Sequence, residues 1–312
     1  MAPRSRPPFA LVGSTASGKT EAALPIAERL GAEICSVDSM LVYRGMDIGT
    51  AKPTDAERAR VPHHLLDLAE PSERFTVARF QQHARAVLGD LGTRGVPALL
   101  VGGSGLYFRA VVDDLEFPAE DEAVRDALQA EVASVGPGPL HARLRDVDPV
   151  AAARIEPGNA RRTVRALEVA ASTGRPFSSY AGAWERYPRE RAVAAGVRMP
   201  SDVLARRIAS RVRSMIELGW LDEVRTLLER GFGGWLTATQ AIGYAELAAH
   251  LDGRLSLDEA VEATVKRTKN LARRQMAWFR RDPRIRWFDA GEGGAIEVAD
   301  DVTSFLERGA PA

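Results

Sequence analysis

The feature that most constrains this chain is the run Gly13-Ser14-Thr15-Ala16-Ser17-Gly18-Lys19-Thr20, a full match to G-x-x-x-x-G-K-[ST]. An apolar stretch at 9–12 precedes it, and a helical pattern over 20–30 follows and stops at Gly31. Strand, glycine-rich loop and helix in that order make a βα unit. Its backbone N–H groups and helix N-terminus form an anion cradle. Lys19 brings a point charge to the phosphates, and the Thr20 hydroxyl is suited to a Mg²⁺ ligand. The loop indicates phosphate binding and leaves the phosphate compound open, ATP included.

The same alternation continues. Residues 32–37 read as a second strand ending at Asp38-Ser39, 77–91 as an amphipathic helix, and 98–101 as a third strand ending in Gly102-Gly103-Ser104-Gly105. Another helix spans 106–112. Strands alternating with helices in short units predict a parallel sheet. The pattern then changes. Residues 120–173 show helical periodicity, broken at Gly136-Pro137-Gly138-Pro139 and Pro157-Gly158-Asn159, and 178–190 read as irregular. A strand at 192–199 returns to the sheet. Ser201 is placed to cap a helix to Leu218, further helices cover 221–229, 244–250 and 256–280, and a short strand covers 285–288. The expectation is an α/β, P-loop NTPase-like parallel sheet core with helices on both faces, built from 1–116 and 191–312. A mostly helical insertion at 117–190 interrupts it.

Composition narrows the classes. Cys35 is the only cysteine, which excludes an intramolecular disulfide and a multi-cysteine metal site. No stretch of about 20 apolar residues is present, so no membrane span is expected and the location is read as cytoplasmic. Lys plus Arg equals Asp plus Glu at 42 each, which by itself argues against a nucleic-acid partner. The average hides a pattern, however. Residues 113–131 carry eight carboxylates against Arg125, whereas 261–288 carry Lys266, Arg267, Lys269, Arg273, Arg274, Arg280, Arg281, Arg284 and Arg286 against Glu262 and Asp282. A local basic element can bind phosphates whatever the total charge.

Several residues stand out, each with a plain alternative. Asp38, at the end of the second strand, is placed as a general base, as a Mg²⁺ partner or as a turn aspartate. Gly102-Gly103 permits close backbone approach to a ligand, or is a tight turn. The third strand lacks the terminal aspartate of an ordinary P-loop ATPase, a mild argument against ATP hydrolysis. His63 and His64 are adjacent, hence a poor chelating pair. Arg207 and Arg211, at i and i+4, can point one guanidinium at a phosphate or form a solvated face. Lys266, Lys269, Arg273 and Arg280 share one helix face beside Trp278 and Phe279. That arrangement suits an RNA backbone with stacked bases, or an amphipathic helix with a solvated basic side.

Taken together these motifs resemble the tRNA isopentenyltransferase (tRNA dimethylallyltransferase) family, over nearly the whole chain. The segments that carry the resemblance are the loop at 13–20, Ser36-Val37-Asp38-Ser39, Pro62-His63-His64-Leu65-Leu66-Asp67, Val101-Gly102-Gly103-Ser104-Gly105-Leu106-Tyr107, Arg165-Ala166-Leu167-Glu168, Gln240-Ala241-Ile242-Gly243-Tyr244 and Arg274-Gln275. The most specific is Tyr43-Arg44-Gly45-Met46-Asp47-Ile48-Gly49-Thr50-Ala51-Lys52-Pro53, which has no general P-loop rationale. Eukaryotic relatives add a C-terminal zinc finger. With no cysteine beyond Cys35, this chain is similar to the shorter bacterial form.

The resemblance implies transfer of a dimethylallyl group from dimethylallyl diphosphate to N6 of adenosine 37, just 3′ of the anticodon of tRNA. Gly13, Ser14, Thr15, Ala16, Ser17, Gly18, Lys19 and Thr20 then hold the diphosphate, with Mg²⁺ on Thr20. Lys19 and Arg211 neutralise the departing pyrophosphate. Asp38 takes the N6 proton. Ser104, where the family usually has threonine, contacts the reacting base. The anticodon stem-loop is expected between core and insertion. It would meet Asp38, Ser39, Met40, Leu41, Ser104, Arg125, Arg161, Arg162, Thr163, Val164, Arg165, Thr239, Gln240, Ala241, Ile242, Gly243, Tyr244, Arg273, Arg274, Gln275 and Arg280. A monomer is expected. The competing classes are a P-loop kinase, prenylation of free adenine nucleotides, and a non-catalytic RNA-binding protein.

Overall fold

The structure is a computed structural model that describes residues 6–309 apart from positions 114 and 236. Asp114 of the acidic run, and the first five residues of the basic, Pro-rich N-terminus, lie outside the described residues. In chain order the elements are β1 (Phe9–Gly13), α1 (Lys19–Leu30), β2 (Glu33–Ser36), α2 (Asp55–Arg60), β3 (His63–His64), α3 (Val77–Arg94), β4 (Ala98–Gly102) and α4 (Gly105–Val112). They are followed by α5 (Glu122–Val135), α6 (Pro137–Val147), α7 (Pro149–Arg154), α8 (Ala160–Thr173), β5 (Val193–Arg198), α9 (Ser201–Glu217) and α10 (Trp220–Glu229). The last are α11 (Tyr244–Leu251), α12 (Leu257–Phe279), β6 (Ile285–Asp289) and α13 (Ala299–Gly309).

The six strands form one sheet in the order β3-β2-β4-β1-β5-β6, with every pairing parallel. Buried on both faces, the central strands are continuous apolar runs rather than alternating ones. Phe9 and Leu11 of β1 pack with Ala22, Ala23 and Ile26 of α1 and Val302 and Leu306 of α13. Their neighbours Ala10 and Val12 face the opposite core, which holds Phe80, Phe108, Trp220 and Phe279. A parallel sheet sets the carboxyl ends of all its strands along one edge. There the chain leaves β1 into the glycine-rich loop, β2 towards Asp38 and β4 into Gly103-Ser104, the edge where open α/β sheets bind ligands.

The chain divides into two compact units, Met1–Asp113 with Pro188–Ala312, and Asp114–Tyr187. The second unit has its own core of Leu128, Leu140, Leu144, Ile155, Val164 and Leu167, on helices α5 to α8. Within it Arg125 forms a buried pair with the fully buried Glu168, at 2.5 Å.

Two sequence expectations need correcting, those for Ser201 and for residues 178–190. Ser201 does not cap α9: the cap position is Pro200, with no side-chain hydrogen bond, and Ser201 is already helical. His63 and His64 form an edge strand. His63 Nδ1 lies 2.7 Å from the Val61 carbonyl, and His64 Nε2 lies 2.6 Å from Glu33, so each ring has a local partner. Residues 178–190 are not irregular but largely 3₁₀, at Phe177–Glu185 and Arg189–Arg191.

Candidate active site

The loop between β1 and α1 takes the shape that its sequence allows. Ala16 and Gly18 have φ of 62° and 83°. A Cβ on Gly13 would lie 2.6 Å from the Val197 carbonyl oxygen, so β5 can approach only a glycine there. Lys19 is buried and donates from Nζ to the Ser14 carbonyl at 2.5 Å, with the Ser17 hydroxyl at 3.4 Å. Burial and the Arg211 charge pull its pKa down to about 7, with Asp38 opposing. The loop backbone is held from behind by late parts of the chain. Arg207 Nε donates to the Ala16 carbonyl at 3.0 Å, the Ala295 N–H to the Ser17 carbonyl at 2.8 Å, and Gln275 Oε1 accepts from the Thr15 N–H at 2.8 Å.

Two cavities open beside this loop. The larger, about 950 Å³, is lined by Lys19, Thr20, Ser36, Ile48, Lys52 and Val101, among others. The smaller, about 570 Å³, is lined by Met40, Ser104, Ile242, Arg274 and Trp278, among others. Both are also lined by Thr15, Ala16, Asp38, Thr50, Gly103, Arg211, Met215 and Gln275, which mark where the cavities adjoin. Asp38 Oδ1 accepts from the Met40 N–H at 2.9 Å, so the turn reading of this residue and its place between the cavities both hold. Arg211 has no ion-pair partner among the described residues, and burial lowers its pKa against the pull of Asp38. Of the two arginines, Arg207 is thus a strut and Arg211 faces the cavities. Ser104 is the N-cap of α4, accepting from the Tyr107 N–H at 3.4 Å. The glycines around it are required by α12. A Cβ on Gly103 would lie 2.4 Å from Gln275 Nε2, and one on Gly105 would lie 1.8 Å from Trp278 Cδ1.

The segment from Tyr43 to Pro53 finds its physical reason here. Glu223 of α10 accepts from three successive N–H groups, Asp47 at 2.8 Å, Ile48 at 2.7 Å and Gly49 at 3.2 Å, and from the Tyr244 hydroxyl at 2.7 Å. The N–H groups form a backbone anion nest, filled internally by one carboxylate. Trp220 packs where a Cβ of Gly49 or Gly243 would stand, 2.1 and 2.0 Å from its ring atoms. Lys52, buried, pairs with Asp47 at 2.5 Å and Asp67 at 2.6 Å and donates to the Tyr43 carbonyl at 2.7 Å. The segment is a braced cavity wall, with Thr50 where the two cavities adjoin. Sequence reading missed Glu223, Trp220 and the strut role of Lys52. A glutamate three residues after a tryptophan on a helix gives no local signal for such a role.

Comparison with known proteins decides the family. A family model described as IPP transferase matches residues 41–282, and one described as isopentenyl transferase matches 8–68. The chain is 47% identical to the tRNA dimethylallyltransferase of Desulforudis audaxviator, over 97% of this chain and 98% of that one. The chain belongs to the tRNA dimethylallyltransferase family. It is 49% identical to the Nocardioides enzyme of the same name, over 97% of each chain. The solved tRNA isopentenylpyrophosphate transferase of Bacillus halodurans superposes with a TM-score of 0.68 at 41% identity, over 96% of this chain and 97% of that one. A eukaryotic dimethylallyltransferase solved acting on tRNA superposes with a TM-score of 0.82 at 24% identity, over 97% of this chain and 80% of that one, a likeness of fold.

Most of the residues expected from the family to touch RNA fall into three groups. Ser39, Met40, Ser104, Gln240, Ala241, Ile242, Arg274 and Gln275 line the smaller cavity, and Leu41 the larger. Arg161, Arg162, Arg273 and Arg280 are exposed on helix surfaces. The side chains of Arg125, Thr163, Val164 and Tyr244 are buried and have no surface to offer, which corrects the expectation of direct contact. Arg125 is instead the pair to Glu168, and Tyr244 a donor to Glu223. Arg165 is turned inward, donating to the Pro118 carbonyl at 2.6 Å. On α12 two faces separate: Thr264, Arg267, Thr268, Leu271, Arg274, Gln275 and Trp278 line the cavity, whereas the exposed Lys266, Lys269 and Arg273, and Arg280 at the helix end, line neither cavity.

The donor set also bears on a cation. No group of three His, Cys, Asp or Glu side chains able to hold a metal occurs among the described residues. Beside the phosphate loop, the residues lining the larger cavity include the exposed Thr20, Asp38 and the buried Ser36, whose Oγ has no hydrogen-bond partner among the described residues. Mg²⁺ keeps several waters and binds through few protein ligands plus substrate phosphates, so this set fits it.

Proposed function

We propose that this chain transfers the dimethylallyl group of dimethylallyl diphosphate to N6 of adenosine 37 of tRNA, releasing diphosphate. The observation that carries the reading is the meeting of the two cavities at Asp38 and Arg211, in a chain of this family. The phosphate loop opens onto the larger cavity, and the inner face of α12 lines the smaller.

The diphosphate lies in the loop at 13–20, against backbone N–H groups and Lys19. The adenine leaves its stack and enters through the smaller cavity, as a base in a loop can do at modest cost. The N6 nitrogen attacks the allylic carbon, the C–O bond to diphosphate breaks, and its electron pair leaves on the diphosphate. Asp38 accepts the N6 proton as the C–N bond forms. Lys19 and Arg211 stabilise the charge developing on the leaving group. Both are buried and neither is ion-paired among the described residues, so their charge acts at low dielectric. Thr20 would hold Mg²⁺, which when bound supplies further neutralisation of the diphosphate. Exposed basic residues of α12 contact RNA phosphates, and Trp278 and Ile242 offer apolar surface to the base. No helix of the described residues is long and apolar enough to cross a membrane. A cytoplasmic location, where the tRNA substrate is found, goes with this reading.

The test is one assay with Mg²⁺, labelled dimethylallyl diphosphate and three acceptors: unmodified tRNA, AMP and adenosine. Label is expected on tRNA alone. Label on AMP with none on tRNA would overturn the reading in favour of free-nucleotide prenylation. ATP turnover without prenyl transfer would make the chain a kinase.

A further inference from the structure

Ser36 is the last residue of β2 and pairs in register with Val101 of β4. Side chains alternate along a strand, so it shares a face with Ile34, two residues before it. That face is the one covered by α1, where Ile34, Val101 and Ala23 are packed together. Ser36 is 5% exposed, and its Oγ has no hydrogen-bond partner among the described residues. A buried hydroxyl without a partner is penalised, and alanine would fill the same space without that penalty. Ser36 is also among the residues that line the larger cavity, as is Thr20, at the first turn of α1. Across the sheet, β4 ends in Gly102 and brings no carboxylate to this end of the cradle.

We propose that Ser36 is a positioning residue of the cation site: its hydroxyl accepts a hydrogen bond from a water of the hydrated Mg²⁺ that Thr20 and the diphosphate hold. The inference rests on the diphosphate reading of the cradle given above. A divalent ion that retains waters needs acceptors for their strongly polarised protons, and a neutral hydroxyl supplies one without adding negative charge beside a diphosphate. It also accounts for a polar group amid Ile34, Val101 and Ala23, which the packing of β2 does not require.

The experiment uses the full chain and inorganic diphosphate, with Mn²⁺ as a paramagnetic substitute whose free concentration is read by electron paramagnetic resonance. In Ser36→Ala, Mn²⁺ affinity of the diphosphate complex is expected to fall about tenfold, the worth of one good hydrogen bond. Ser36→Cys, with a weak acceptor of similar size, should behave alike. Diphosphate affinity measured in EDTA should stay within about twofold of wild type, and the melting temperature of the unliganded Ser36→Ala chain should be unchanged or higher. Unchanged Mn²⁺ affinity would overturn the inference. So would an equal loss of diphosphate affinity in EDTA, which would make Ser36 a packing residue. Failure of the wild type to bind diphosphate at all would instead remove the proposed function itself, so the two failures are distinguishable.

Discussion

Two buried lysines line the same cavity and have opposite surroundings. Lys52 is matched by Asp47, Asp67 and the Tyr43 carbonyl, a set that nearly exhausts its donors. Lys19 has a carbonyl and a distant hydroxyl, with Arg211 close enough to depress its pKa against the partial opposition of Asp38. A buried cation ion-paired to internal carboxylates braces the fold. One without such a pair leaves charge that an incoming anion can neutralise. The contrast separates architecture from binding machinery more sharply than burial does, since both side chains are equally hidden.

The comparison can be broken from several sides. The largest effect is expected at the carboxylate whose charge acts on both Lys19 and Arg211. Asp38→Ala should lower single-turnover prenyl transfer about 10²–10⁴-fold, and near-normal turnover would remove Asp38 from the mechanism. Lys19→Met should cost about 10²–10³ in kcat with little loss of thermal stability, the range for a lost oxyanion-type donor. Lys52→Met should invert that pattern. It leaves two carboxylates facing one another and should destabilise the fold by roughly 2–3 kcal/mol in urea unfolding. That is below the loss for a pair buried on both sides, because Asp47 remains largely exposed. Inorganic diphosphate affinity of the folded Lys52→Met chain should change less than about threefold.

A subtler test reads protons. The folded-state pKa of Lys19 is about 7 against an ordinary 10.5. Below about pH 7 the ammonium is present in the folded and unfolded chain alike, and its burial cost is felt in full. Between about 7 and 10.5 the unfolded chain binds the extra proton, so this residue's contribution to stability rises with pH across that window. Diphosphate favours the charged form. Binding above pH 7 should therefore protonate Lys19, seen as a larger net proton uptake by wild type than by Lys19→Met in calorimetry in buffers of different protonation enthalpy. The smallest effect belongs to the outer face of α12. Lys269→Gln with Arg273→Gln should weaken tRNA binding and flatten its log–log salt slope by about 1.4, and an unchanged slope would return that face to plain solvation.

Much of this was legible in the sequence, for identifiable reasons. Residues 13–20 encode their own conformation, because glycines and a helix start specify the loop locally. The apolar runs at 9–12, 32–37, 98–101 and 192–199 could be read as strands because a sheet buried on both faces asks for unbroken hydrophobicity. The two-residue strand His63–His64 offers no periodicity to read. Helices α2 and α13 were not anticipated, and Ser201 was given a cap role that its neighbour Pro200 occupies. Among site residues, those with intrinsic chemistry were found: Lys19, Asp38 and Arg211 all line the cavities. Those whose role is to hold others were not. Glu223 and Trp220 act on a loop far away in sequence, and that relation exists only once the chain is folded. Arg125 shows the converse: a charge that reads as a surface contact is consumed by Glu168.

The glycine-rich loop is written in the first twenty residues, yet its backbone rests on Arg207, Gln275 and Ala295. On a ribosome, where the chain emerges from its N-terminus, these supports arrive last. A nascent chain carries the complete phosphate-binding motif for most of its synthesis without these three supports. The hydrogen bonds from Arg207, Gln275 and Ala295 to the loop therefore form only after about two thirds of the chain has been made.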